Sequence, residues 1–219
     1  MARQNSVNKR SSDFTVDSRA GFDSFVQFNI NDTGEFRVGA DISDDSFRIA
    51  QGSNLGVNET FIMTAAGGRT MPLQPAFLVT QDVEHTDVTG NGVLFTMTFD
   101  TEELNIGSVF DGTSTFTAPV DGLYDLEARV NFKTLNAVTH LASYIKIVTS
   151  NRTFSSASTS GPVASFIGDL ATMVTAFSDM DAADTAIVQI IVFGGTQTVG
   201  TYEGSSAHNK ESFSGNLVC

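Results

Sequence analysis

Residues 122–132, GLYDLEARVNF, constrain this chain more than any other stretch. Tyr124, Leu126, Ala128, Val130 and Phe132 alternate with Asp125, Glu127, Arg129 and Asn131, the period-two pattern of a strand with one buried and one wet face. The segment leading into it, FTAPVDGLY, contains Pro119, which cannot donate to a sheet ladder, and Asp121-Gly122, which supplies turn chemistry. The chain must bend immediately before the strand starts, and that bend sets its register.

Similar signals recur through the C-terminal two thirds. Val93, Phe95, Met97 and Phe99 alternate after the turn Thr89-Gly90-Asn91-Gly92, and strands are expected near 142–148, 167–177, 186–193 and 213–218. Segment 166–177 is bracketed by Gly161-Pro162 and Ser178-Asp179 and is rich in β-branched residues, so it reads as strand rather than helix. Eighteen Phe, 19 Gly, four Pro and no Trp complete the picture of an all-β chain with many turns. The run AIVQIIVF (186–193) is apolar on both faces apart from Gln189. A strand of that kind needs a second sheet or a second subunit against its other side, and Ile190 and Val192 are taken as candidate seam residues. Polar stretches at 82–92, 149–162 and 194–210 are expected to be loops able to carry a binding surface.

The N-terminal third is organised differently. Phe14, Phe25, Phe36 and Phe47 are spaced by eleven residues, and the later three open short apolar pieces separated by Gly-, Asn- and Asp-rich stretches. Those clusters would break helices, so each period reads as strand plus turn. Units this small cannot bury an apolar side alone and must be covered by neighbours or by other copies of the chain. Residues 1–20 are polar and without period and read as an extended arm, 21–73 as a β-rich stalk, and 74–219 as a globular head, with Thr70–Gln74, marked by Pro72 and Pro75, as the linker or seam. Charge divides along the same line. The chain carries 12 basic and 25 acidic side chains, a net of −13, yet residues 1–19 are net +2 through Arg3, Lys9, Arg10 and Arg19. An acidic body argues against a nucleic-acid partner, and the four basic residues are the candidate anchoring set for an acidic partner surface. No apolar run is long enough to insert in a membrane.

No phosphate loop, nucleophile elbow or CxxC motif is present, and His85, His140 and His208 lie far apart with no metal-ligand spacing. The paired carboxylates Glu102-Glu103 and Asp44-Asp45 are sequence neighbours that point apart on a strand or turn. The single cysteine, Cys219, allows no internal bridge. The expectation is a protein without catalysis and without a cofactor.

The spacing of Asn105, Phe110, Phe116, Gly122 and Tyr124 resembles the signature of the globular C1q domain, the trimeric jelly roll shared with the tumour necrosis factor family. Met180–Phe193 is similar to its penultimate long strand, with Ala183-Asp184 where the family usually has Gly-Asp, and SFSGNLV (212–218) is similar to its closing strand. The resemblance implies an all-β C1q/TNF-like jelly-roll sandwich over 74–219, a homotrimer, and Tyr124 at the core or trimer seam beside Ile190 and Val192. Some heads of this type bind calcium, and here Asp179, Asp181 and Asp184 lie in one turn; the alternative is that they cap it. Residues 34–67, GEFRVGADISDDSFRIAQGSNLGVNETFIMTAAG, resemble a segment of bacteriophage tail-fibre and appendage proteins. Together the two resemblances imply a virion appendage. Residues 1–73 would attach it to other virion proteins, and the head would bind a glycan or protein of the host surface. The alternative is a capsid decoration or head fibre that needs no receptor.

Overall fold

The computed structural model describes residues 6–10, 13–30, 34–52, 54–136, 138–159, 167–202 and 210–218. The chain forms two compact units, residues 1–74 and 75–219, and the described residues contain strands and turns but no helix.

In the first unit β1 (Ser6–Arg10) and β2 (Asp13–Asp17) form an antiparallel hairpin, where an extended arm was expected. β3 (Ser24–Ile30), β4 (Gly34–Asp41), β5 (Ser46–Gln51), β6 (Glu59–Met63) and β7 (Arg69–Thr70) follow as an antiparallel meander in chain order. The eleven-residue spacing is thus one strand plus one turn: Phe25, Phe36 and Phe47 lie on three consecutive strands. Asp45, at φ 56°, sits in the tight β4–β5 turn, where Asp tolerates the left-handed region better than most residues. The side of this sheet that holds Arg48 carries a compact ion cluster. Arg48 reaches Asp44 at 2.6 Å, Glu59 at 2.7 Å and Asp41 at 3.3 Å, and Asp41 and Glu59 are buried.

The second unit is a sandwich of two antiparallel sheets. One has the order β11 (Thr101–Ile106), β8 (Ala76–Thr80), β19 (Ser212–Leu217), β13 (Gly122–Asn136), β18 (Val199–Thr201), β9 (His85–Thr89), with β16 (Ile167–Met180) on the other edge of β13. The other has the order β10 (Leu94–Thr96), β17 (Thr185–Gly194), β14 (His140–Thr149), β15 (Thr153–Thr159), with β12 (Thr115–Thr117) also on β17. From β12 to β19 the chain crosses between the sheets at every step except β14 to β15 and β18 to β19, in the order of a jelly roll, a double Greek key. The layers meet through the inward faces that period two dictates. Tyr124, Leu126, Ala128, Val130 and Phe132 of β13 oppose Ala186, Val188, Ile190 and Val192 of β17 and Ile145 and Ile147 of β14, all fully buried. Each such side chain stabilises the fold by about 1.5–3 kcal/mol for the large ones, and this unit closes its core with no disulfide.

All three segments expected to be loops contain strands, the third being β18 within 194–210. Residues 153–159 pair with β14 as an edge strand, and 85–89 pair with β18.

Candidate functional site

The residues whose spacing singled out this domain make its packing centre. The Asn105 side chain accepts from the Val109 and Phe110 amides at 2.9 and 3.1 Å and donates to the Phe110 carbonyl at 3.1 Å. That folds the loop back and delivers Phe110 to the core. Phe77 stacks on Phe116 at 4.8 Å and on Phe110 at 5.6 Å, and meets Phe213 edge-on at 4.8 Å. Tyr124 lies against Phe116 at 5.3 Å, and its hydroxyl donates to the Val120 carbonyl at 2.8 Å, so the ring secures the Pro119–Gly122 bend. Gly215 is required here: a Cβ would stand 2.6 Å from Leu126 and 2.7 Å from Phe77.

The seam residues taken from sequence need correction. Tyr124, Ile190 and Val192 are fully buried inside the subunit and have no surface to offer another copy. The second apolar face of β17 belongs to their odd-numbered neighbours Ile187, Ile191 and Phe193. It continues sideways by pairing, Leu94 to Ile191 to Tyr144 and Phe193 to Ala142, with the Tyr144 and Phe193 rings edge to face at 5.8 Å. Leu94 is 49% and Phe193 44% exposed. The outward side of the other sheet carries a second apolar patch at its β16 edge, Met173 and Phe177 at 52% and 61% exposure, across from Arg129 and Asp125 of β13. These two outward faces are the candidate association and binding surfaces of the head.

Asp179, Asp181 and Asp184 do not gather around an ion site. Asp184 Oδ2 accepts from the Asp181 amide at 3.0 Å and from Asn151 Nδ2 at 2.7 Å, while Asp179 lies on β16 paired with Leu123. Asp184 is a turn cap, tied to the neighbouring bend by Asp121, which accepts from the Ala182 amide at 2.7 Å. Among the described residues no group of three His, Cys, Asp or Glu is placed to hold a metal. Of the basic set, Lys9 and Arg10 lie on β1 opposite Phe14 and Asp13 and Arg19 is exposed after β2. Arg3, like His208 and Cys219, lies outside the described residues.

A polar cluster at one end of the sandwich had no signature in the sequence. Glu211 is fully buried beside β18. Its Oε1 accepts from the Tyr202 amide at 2.9 Å and the Asn131 amide at 3.3 Å, whereas Oε2 has no partner. Burial pushes its carboxyl up to about 8, against backbone hydrogen bonds and the Thr201 hydroxyl that favour the anion. The backbones of Glu211 and Gln81 are joined by a 3.2 Å hydrogen bond. Gln81 Nε2 reaches Thr201 Oγ1 at 3.2 Å while its Oε1 is also without a partner. His85 completes the cluster, with Nδ1 3.3 Å from Thr201 Oγ1 and Nε2 2.8 Å from Thr98 Oγ1. Burial pushes its imidazole below the usual value, opposed by Asp100. Both ring nitrogens are occupied by hydroxyls, which leaves neither aimed at open space. Lys210 faces outward, to Asp82 at 3.0 Å and Glu103 at 3.3 Å. His140, at the far end of β14, is likewise held internally, accepting from the Asn136 amide at 2.9 Å.

No family model and no curated protein sequence matches the chain. Among solved structures, the globular domain of zebrafish complement 1qA protein is similar over 67% of this chain and 98% of its own, with 16% identity and a TM-score of 0.43. At that score the likeness carries nothing about function or assembly.

Proposed function

We propose that this chain is the subunit of a homotrimeric, non-catalytic virion appendage of the bacteriophage type. In this reading its C1q-like jelly-roll head binds the host surface and residues 1–73 attach it to the particle. The observation that carries the assembly is the pair of apolar patches on opposite outer faces of the head, around Leu94 and Phe193 and around Met173 and Phe177. Patches on different faces cannot satisfy each other in a two-fold dimer of like surfaces. They suit a head-to-tail contact that closes into a ring. The attachment role draws on the likeness of residues 34–67 to phage appendage segments and on the net +2 of residues 1–19.

Host binding is supported by what the buried groups leave over: His85, His140 and the caps Asp111 and Asp184 are spent on internal hydrogen bonds. Recognition is then left to the polar outer edge, where β15 presents Thr153, Ser155, Ala157 and Thr159 to solvent. The second reading, a decoration that braces the capsid without a receptor, draws on the same trimer. Purified trimer applied to host cells and a glycan panel separates them: saturable binding supports the adhesin, and its absence together with density on the capsid supports the decoration. Shortening of a surface polysaccharide with time would overturn both.

A further inference from the structure

We infer that one face of the β3–β6 meander is an association face, covered in the assembled protein by the same face of other copies of this chain. Pairing fixes which residues share that face. Val26, Val38, Ile49 and Phe61 form one row, Phe28, Phe36 and Gln51 a second, and Ser24, Ala40, Phe47 and Met63 a third, and residues opposite one another in a ladder project to the same side. Nothing in these rows is charged; Arg69, opposite Met63 on the two-residue edge strand β7, is the first charge met. Phe28 is 54% exposed, and Phe36, Phe47 and Met63 are also exposed. The opposite side of the sheet is dressed by the chain itself. Phe25 lies under the Arg37 guanidinium at 4.1 Å, Arg48 is held by three carboxylates, and the 54–57 turn buries Leu55. The sheet therefore has one finished and one bare side.

Charge and area select the occupant. A face with no charge carries nothing that repels copies of itself, so three such faces can turn inward around one common axis. Four strands about 4.8 Å apart and five residues long give about 350 Å², less than half of the roughly 800 Å² per partner of a stable free-standing interface. Such a face does not hold copies together unaided. It does so when the copies are already tethered, because a short connection raises the effective concentration to about the millimolar range. The tether is the trimeric head joined at Pro75, so the inference rests on that proposed trimer.

The test uses the full chain with Cys219→Ser, which removes the sole native thiol, and adds Val38→Cys at the centre of the bare face or Thr70→Cys on the finished one. Oxidation should join Val38→Cys subunits into disulfide-linked pairs and leave Thr70→Cys subunits separate, while light scattering gives a trimer for both. A trimer in which Val38→Cys links no better than Thr70→Cys overturns the face while leaving the trimer standing. A monomer in light scattering overturns the trimer itself, and the face with it. As a second readout, Phe36→Ser with Phe47→Ser should keep the trimer but speed amide exchange in β3–β6 at least ten-fold. Unchanged exchange would also overturn the face.

Discussion

Ala183 occupies the turn between β16 and β17 at φ 74°, a conformation that costs a non-glycine residue about 1–2 kcal/mol. Its amide still donates to the Ala118 carbonyl at 2.8 Å, so the turn is held and the strain retained. Ala183→Gly should stabilise the head by about 1 kcal/mol, less part of that to the added freedom of the unfolded chain, and raise its melting temperature by a few degrees. A fall in melting temperature would show that the methyl group packs usefully. Glu211 gives a pH-dependent counterpart. Its folded-state value, about 8, lies above the ordinary 4.5, so the neutral acid is the form the fold prefers. Below about pH 4.5 folded and unfolded chains are both protonated and nothing is lost; as pH rises toward 8 only the unfolded chain ionises, and stability falls by up to about 1.4 kcal/mol per pH unit. Glu211→Gln keeps the acceptor for the Tyr202 and Asn131 amides and cannot ionise. Urea midpoints should therefore diverge in the variant's favour between pH 5 and 8, and a difference independent of pH would mean that Glu211 is ionised in the native state.

Among the elements, β13, β14, β16, β17 and β19 were legible because each combines a long period-two or apolar run with a turn signal at its start, as Pro119-Val-Asp-Gly does for β13. β9, β15 and β18 were not. They are short or polar, and Thr153–Thr159 becomes a strand only because β14 offers it an edge, a property of the partner and not of the segment. The parity of β17 was illegible for a different reason: when both faces are apolar, composition does not say which is inside. The fold decides it through β12 and β14, whose register turns the even-numbered residues inward. Likewise the Glu211 cluster draws on β18, β13 and the segment after β8, which no local pattern connects. Parity makes a sharp prediction. Ile190→Asp puts an uncompensated charge in the core and should cost several kcal/mol, seen as loss of the cooperative unfolding transition. Phe193→Asp, three residues on and facing out, should leave the unfolding midpoint within about 1 kcal/mol but weaken the trimer at micromolar concentration. Equal destabilisation by the two would refute the assignment of faces.

For the whole molecule, the jelly-roll unit holds a continuous aromatic core from Phe77 to Phe213, whereas the meander keeps a bare side. Residues 75–219 expressed alone should fold and trimerise, as checked by light scattering, and should bind the particle less well than the full chain. If Lys9, Arg10 and Arg19 carry attachment, binding of the full chain should weaken as salt rises from 50 to 500 mM; salt-independent docking would point to the apolar residues instead. The position of β19 has a consequence for how the chain is made. This strand inserts between β8 and β13 and brings fully buried Phe213 with it, so the first strand of the head has no inner neighbour until nearly the whole domain has been synthesised. The meander closes hairpin by hairpin as it emerges; the head waits with two open strand edges and an unfilled core. Its folding should be slow and follow translation, and during that interval the nascent subunits are most exposed to aggregation through those edges. Lower temperature and slower induction should accordingly raise the soluble yield of the full chain far more than that of its first 74 residues.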